Sequence, residues 1–338
     1  MSLERPNVPD RRAFGIATAA YIFLLRDSPA AVPGVKTWRL GLLGSARSPG
    51  SPLWAAFDEE LARKGLVEGK AFSWMGPPVT ELSQLDALAS DLVKANVDII
   101  VTDFREGVAS AKRATKTIPI VMLVASDAVR EGWVASFARP GGNLTGTSGF
   151  PIEMEVKRLQ ILIQTLERPK RLGYFVFAPF RRRPAVVDQI KRLEEAAGAK
   201  GAQLRVFEVE EAYGSLGAAF ERAANAGVQG LVIHNHATIG ANSHAEVGDL
   251  AMKFRLPSIM SYREYAVGGV LLSYSEDTID TYRKGATYVA KIMAGAKPGD
   301  LPVEFPTRFE FVINLKTAAV LGLHVPASVL SLANEVIR

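Results

Sequence analysis

Short apolar runs alternate with amphipathic segments along the chain beyond residue 36, and a chain that alternates in this way has few folds open to it. "WRLGLLG" (38–44) is a continuous apolar strand, and "PLWAAFDEELARKG" (52–65) follows with Leu53, Trp54, Phe57 and Leu61 at helical spacing and Gly65 as its stop. "AFSWMG" (71–76) predicts a second strand, "ELSQLDALASDLVKAN" (81–96) a helix and "VDIIVTD" (97–103) a third strand. "GVASAKRAT" (107–115) then predicts a helix and "IPIVMLVA" (118–125) a strand. Strands separated by helices pair in parallel through right-handed crossovers, so the expected class is α/β with doubly wound parallel sheets.

In "RPGGNLTGTSG" (139–149) the glycines and Asn143 read as turns, and after them the same rhythm restarts. Helices are expected at 154–166, 184–201, 216–227 and 243–254, interleaved with strands at 171–178, 203–209, 230–235 and 256–262. The tail departs from simple repetition, with a strand "GGVLLSY" (268–274), a helix at 278–295 and a strand running into a helix over 308–322. A chain of 338 residues is at the size where one core divides into two. The expected division is a leader at 1–35, a first lobe of 36–145 plus 266–304 and a second of 146–265 plus 305–338. Tail elements that join both earlier sheets force more than one crossing between lobes, and such crossings build a multi-strand hinge.

The leader carries a twin Arg11-Arg12, an uncharged apolar segment from Ala13 to Leu25, and small residues around Ala30 and Ala31, the three regions of an export signal. The apolar segment ends at Arg26, short of the roughly 20 residues that cross a bilayer, so a removable signal fits better than an anchor. The pattern Asp10-Arg11-Arg12-Ala13-Phe14-Gly15 matches the twin-arginine class, with an ordinary secretory signal as the alternative. A periplasmic location is the expectation. With no cysteine, the chain has no disulfide, thiolate nucleophile or cysteine-linked lipid. The charge of +5 includes the runs "RPKR" (168–171) and "RRRP" (181–184), which lack the aromatic interleaving or helix-turn-helix of a nucleic-acid reader.

In open α/β sheets ligands bind beyond the carboxyl ends of strands. Those ends carry Gly44 and Ser45, then Thr102, Asp103 and Phe104, then Ser126 and Asp127; from the second unit come Pro179, Phe180, His234, Asn235, Tyr262 and Glu264, with Ser273 and Tyr274 from the late strand. From these, the candidate ligand-binding set is Ser45, Thr102, Asp103, Phe104, Ser126, Asp127, Phe180, Asn235, Glu264 and Tyr274. Ser45, Thr102, Ser126 and Asp127 read equally as N-caps, and a hydroxyl beside free helix N–H groups also suits a carboxylate. Phe180 and Tyr274 read either as core or as walls of a cleft. "DFREG" (103–107) adds Arg105, whose guanidinium could hold a carboxylate bidentately or simply lie in solvent.

No catalytic constellation accompanies the set. "GLLGSARSPGS" (41–51) follows a strand but lacks both G-x-G-x-x-G and the G-K-[ST] ending, so it has neither the backbone geometry nor the lysine of a nucleotide loop. No G-x-S-x-G elbow occurs. "HNH" (234–236) with His244 invites a metal, but His234 and His236 supply two ligands on one face, fewer than a catalytic zinc takes, and a hydrogen-bonding role is the expectation. No cofactor and no catalysis are implied.

Five stretches are more specific. "GLLGSARSPGSPLWAAFDEELARKGLVEGKAF" (41–72), "LASDLVKANVDIIVT" (88–102), "TIPIVMLVASDAVREGWVASFARPGGNLTG" (117–146), "SYREYAVGGVLLSYSED" (261–277) and "AGAKPGDLPVEFPTRFEFVINLKTAAVLGLHVPASVL" (294–330) resemble, in order, the ABC-transporter substrate-binding proteins of the tryptophan/tyrosine-binding type. The resemblance implies a type I periplasmic-binding fold, in which a small ligand is closed between two lobes and delivered to a membrane permease. It supports Ser45, Thr102, Ser126, Asp127 and Tyr274 as site residues. "DFREG" and "HNH" depart from the family pattern, and both are expected to line the cleft. The expected function is capture of a small carboxylate-bearing solute, an amino acid or an aromatic or branched acid, by hinge closure. A sensor subunit of a membrane receptor is the alternative use of the same closure, and an enzyme on a doubly wound fold is a more remote one.

Overall fold

The computed structural model describes residues 36–44, 47, 50–79, 81–126, 128–149, 151–210, 215–234 and 244–338. The proposed leader, and with it the twin arginine, lies outside these residues.

The first sheet has the order β2-β1-β3-β4-β5 and is parallel throughout, built from β1 (Trp38–Leu42), β2 (Phe72–Met75), β3 (Ile99–Thr102), β4 (Ile120–Ser126) and β5 (Leu144–Gly149). Helices α1 (Pro52–Arg63), α2 (Leu85–Lys94) and α3 (Arg105–Ala114) connect its first four strands. Proline at the first position opens α1, where a missing N–H costs nothing.

The second sheet has the order β12-β11-β10-β9-β8-β6-β7. Its parallel part comprises β6 (Arg171–Phe177), β7 (Gln203–Val209), β8 (Gly230–Ile233), β9 (Ser258–Met260) and β10 (Leu272–Glu276), joined by α5 (Pro184–Gly198), α6 (Ser215–Asn225), α7 (His244–Lys253) and the short α8 (Arg263–Val267). Strand β11 (Phe309–Asn314) runs antiparallel to β10, and β12 (Glu335–Ile337) runs parallel to β11. Helix α4 (Pro151–Thr165) covers one face of this sheet together with α5, and α10 (Leu315–Leu321) and α11 (Ala327–Leu330) close the tail.

The central strands of each sheet are buried on both faces, which is why β3, β4 and β8 read as unbroken apolar runs. In the first sheet one face packs Leu40, Ile99, Val101 and Val121 against Trp54, Phe57 and Leu61 of α1 and against Tyr282, Ala286, Val289 and Ile292. Those last four belong to α9 (Thr278–Met293), a helix that follows the second sheet in sequence yet completes the core of the first. The Asp277 side chain starts it by accepting from the Asp280 N–H at 3.0 Å.

The chain therefore passes between lobes three times: between Gly149 and Pro151, between Glu276 and Thr278, and over the segment 301–308 that leads to β11. Two sheet memberships differ from the sequence-based division. Strand β10 falls within 266–304, which was assigned to the first lobe, but it pairs with β9 and β11 in the second sheet. The whole of β5, including residues beyond 145, pairs with β4 in the first. In both cases backbone pairing decides membership, and a composition-based boundary cannot register it. Strand β5 itself falls in the stretch read as turns.

Candidate functional site

The carboxyl ends of the two sheets are brought together by ion pairs that cross from lobe to lobe. Arg183, just before α5, reaches Glu106 in the first turn of α3 at 3.0 Å, and Arg130, beyond β4, reaches Asp188 of α5 at 3.5 Å. The Arg183 guanidinium also lies over the Phe180 ring, 3.4 Å from its centroid. The boundary between the lobes thus carries charge from both.

Arg105 belongs to the same boundary. Its Nε and Nη2 donate to Glu131 at 3.1 and 2.6 Å, and its Nη1 lies 3.9 Å from Glu106. The sequence offered this guanidinium for a ligand carboxylate; in the structure Glu131 occupies two of its nitrogens.

The other predicted residues separate into three groups. Ser45, Asp127 and Asn235 lie outside the described residues, and Ser126 ends β4. Thr102 is fully buried and its hydroxyl donates to the Phe104 carbonyl at 3.4 Å, while Gly107 leaves room for it, since a Cβ there would come within 2.2 Å of the Thr102 oxygen. It does not cap α3, whose N-cap is Phe104 with no side-chain cap bond. Asp103 accepts from the Tyr282 hydroxyl at 2.9 Å, tying the end of β3 to α9. Phe104 packs on the buried face of the first sheet, and Phe180 is buried edge-on against Phe177 at 5.1 Å. Glu264 is exposed in the first turn of α8. Tyr274 stacks on Phe309 at 6.0 Å, meets Phe311 edge-on and is half-buried.

What the sequence reading missed is the group around which the ends of β8, β9 and β10 gather. Arg158, in the second turn of α4, is only 6% exposed, and Glu155 one turn before it is 4% exposed. Arg158 Nη1 lies 2.9 Å from Glu155, and its Nε donates to the Tyr274 carbonyl at 2.8 Å. Its charge helps hold the His234 imidazole down at about 4, after burial as the main cause. Desolvation raises the hydroxyls of Tyr274 and of Tyr262, a residue 37% exposed as a whole, with Arg158 opposing the rise and Glu276 adding to it. His234 also meets Tyr174 edge-on at 6.4 Å. At neutral pH the ends of these strands therefore gather a neutral imidazole, two neutral phenols and a buried Arg158–Glu155 ion pair, with the Glu276 carboxylate nearby.

A signal for Arg158 was present in the sequence: residues 155 and 158 fall on the buried stripe of an otherwise amphipathic helix, beside Leu159 and Leu162. Charges on an apolar stripe are costly unless they are paired or used.

Two doubly wound lobes, three crossings and opposed strand ends define the type I periplasmic-binding-like fold. The same fold is found in the ABC domain from Streptococcus pneumonia in complex with L-Trp, at TM-score 0.76 and 22% identity over 89% of this chain and 100% of that one. It recurs in a ligand-free, open substrate-binding protein with adhesive properties from Clostridium difficile, at TM-score 0.68 and 20% identity over 89% and 99%. In sequence, a tyrosine-binding protein of Clostridioides difficile (strain R20291) is 25% identical over 248 residues, 72% of this chain and 68% of that protein. The family described as ABC transporter substrate binding protein matches residues 54–337, and the chain belongs to it.

Proposed function

We propose that this protein is the exported, periplasmic component of an ABC importer, which closes its lobes on a small carboxylate-bearing solute and presents it to a permease in the inner membrane. The observation that carries the reading is the mouth itself: residues from both lobes meet in ion pairs at 3.0 and 3.5 Å, across a boundary that the chain traverses by three crossings. Contacts of that kind exist only while the lobes are together, so a ligand that touches both lobes favours the closed state by its differential affinity. Family membership supplies the transporter, and the export signal read from residues 1–35 supplies the compartment. Capture and release by lobe closure need no covalent step.

A thermal-shift screen of the purified protein against amino acids, aromatic acids and small dicarboxylates tests capture. A solute held only by the native state at 100 times its dissociation constant should add about 2.7 kcal/mol of stability. Tyr274→Ala and Ser126→Ala should weaken that binding while both variants remain folded, measured by calorimetric titration. Unchanged affinity in both would remove those residues from the site, and a protein stabilised by no solute of any charge would end the capture reading.

A further inference from the structure

Among the charged side chains of the second lobe, Arg158 combines deep burial with a nitrogen left over. Its Nε is committed to the Tyr274 carbonyl and its Nη1 to Glu155, but Nη2 makes no hydrogen bond among the described residues. The side chain is 8% exposed, so it is not sealed from solvent. A guanidinium presents five donors in a fixed plane, and one whose outer nitrogen has no protein acceptor can give those N–H groups to an anion.

Its position in the fold says where that donor lies. Arg158 stands two turns into the helix that begins just after the crossing at Gly149, and it grips β10 two residues before the crossing at Glu276. Gly149 and Glu276 are themselves in close contact: a Cβ on Gly149 would lie 2.8 Å from the Glu276 carboxylate. The guanidinium is therefore at the hinge end of the cleft, beside the ends of the strands carrying His234, Tyr262 and Tyr274.

We propose that Arg158 is the anion anchor of the cleft, donating from Nη2 to one oxygen of a ligand carboxylate, with a neighbouring tyrosine hydroxyl donating to the other. The inference rests on the capture reading and deepens it: it names the group that holds the solute's carboxylate and puts that charged end at the hinge, not at the mouth where Arg105 is already paired. Glu155, 2.9 Å from Nη1, offsets the guanidinium's charge, so the anchor costs less to bury.

The experiment uses paired probes on the intact protein: L-tyrosine, L-tryptophan, benzoate and phenylacetate, each beside its carboxamide, titrated calorimetrically. The wild type should bind at least one acid about tenfold or more tightly than its amide. In the double variant Glu155→Gln/Arg158→Gln, which removes both charges together, that ratio should fall to near one. Arg158→Lys, which keeps the charge and loses the planar fork, is the second variant should the first not fold, and it should bind the acid at least several-fold more weakly. Acid-over-amide preference that survives in both variants overturns the anchor. So does a wild type that binds amides as well as acids, or only uncharged solutes, although capture itself would then stand. Loss of acid and amide binding alike in a folded variant would reduce Arg158 to a scaffold residue.

Discussion

At the scale of single residues, His234 makes the clearest claim. Burial holds it at about 4 in the folded protein against 6.5 ordinarily, and the positive Arg158 works in the same direction. Between those two values the unfolded chain takes up a proton that the folded chain refuses. Stability contributed by the neutral ring is therefore complete above about pH 6.5 and lost as pH falls toward 4, to a total on the order of 3 kcal/mol. His234→Gln should flatten this acid limb, seen as a smaller difference between urea unfolding free energies at pH 7 and pH 4; an unchanged difference would place the titration elsewhere. In the sequence His234 and Tyr274 are legible as residues at strand ends, and the structure has His234 just past β8 and Tyr274 in β10. Arg158 is not legible in the same way, because it lies inside a helix and not at a strand end, and Thr102, offered as a ligand residue, has its buried hydroxyl toward the adjacent backbone.

Among the elements, β5 shows where pattern fails. Its sequence, Leu144–Gly149, is rich in glycine and threonine and has no apolar run, so nothing in it announces a strand. The structure pairs it with β4 through a register shift between Met122 and Ala125, where β4 carries an extra residue. Gly146 sits opposite the start of that shift with φ +125°, and a Cβ there would lie 2.0 Å from the Met122 carbonyl oxygen. Thr147 donates to the Leu123 carbonyl exposed by the irregularity, and Thr145 donates to Leu301 at 2.8 Å. The residues that looked like turn formers are those that a bulged, hinge-bound edge strand requires. Gly146→Ala should accordingly cost about 3 kcal/mol or more, by chemical denaturation, since both the dihedral and the space forbid a side chain. Elements with ordinary periodicity were legible: the helices of the two α/β units and the strands between them lie where apolar spacing put them, to within their end turns.

For the whole molecule, the fold class and its two-lobe division could be read from the alternation of elements, but the sheet to which each late element belongs could not. Strand β10 joins the second sheet and α9 the first within a few residues of each other, and pairing and packing partners distant in sequence decide between them. The charged mouth belongs to this scale too, since neither lobe has it alone. Its pairs are partly exposed and so worth at most about 1 kcal/mol each, and salt shortens the screening length from about 10 Å at 0.1 M to about 3 Å at 1 M. Glu106→Gln, or salt raised over that range, should weaken ligand binding up to about fivefold while leaving the melting temperature nearly unchanged. X-ray scattering on the ligand-free protein should show a larger radius of gyration under the same conditions; equal radii would mean that the rim does not bias closure. A different consequence follows from α9. The first sheet emerges from the ribosome by residue 149, but the helix that covers its face, with Tyr282, Ala286, Val289 and Ile292, is not made until the entire parallel part of the second sheet has been synthesised. During translation the core of the first lobe stays incomplete until a segment encoded after five strands of the second has been made, however separable the lobes look when finished.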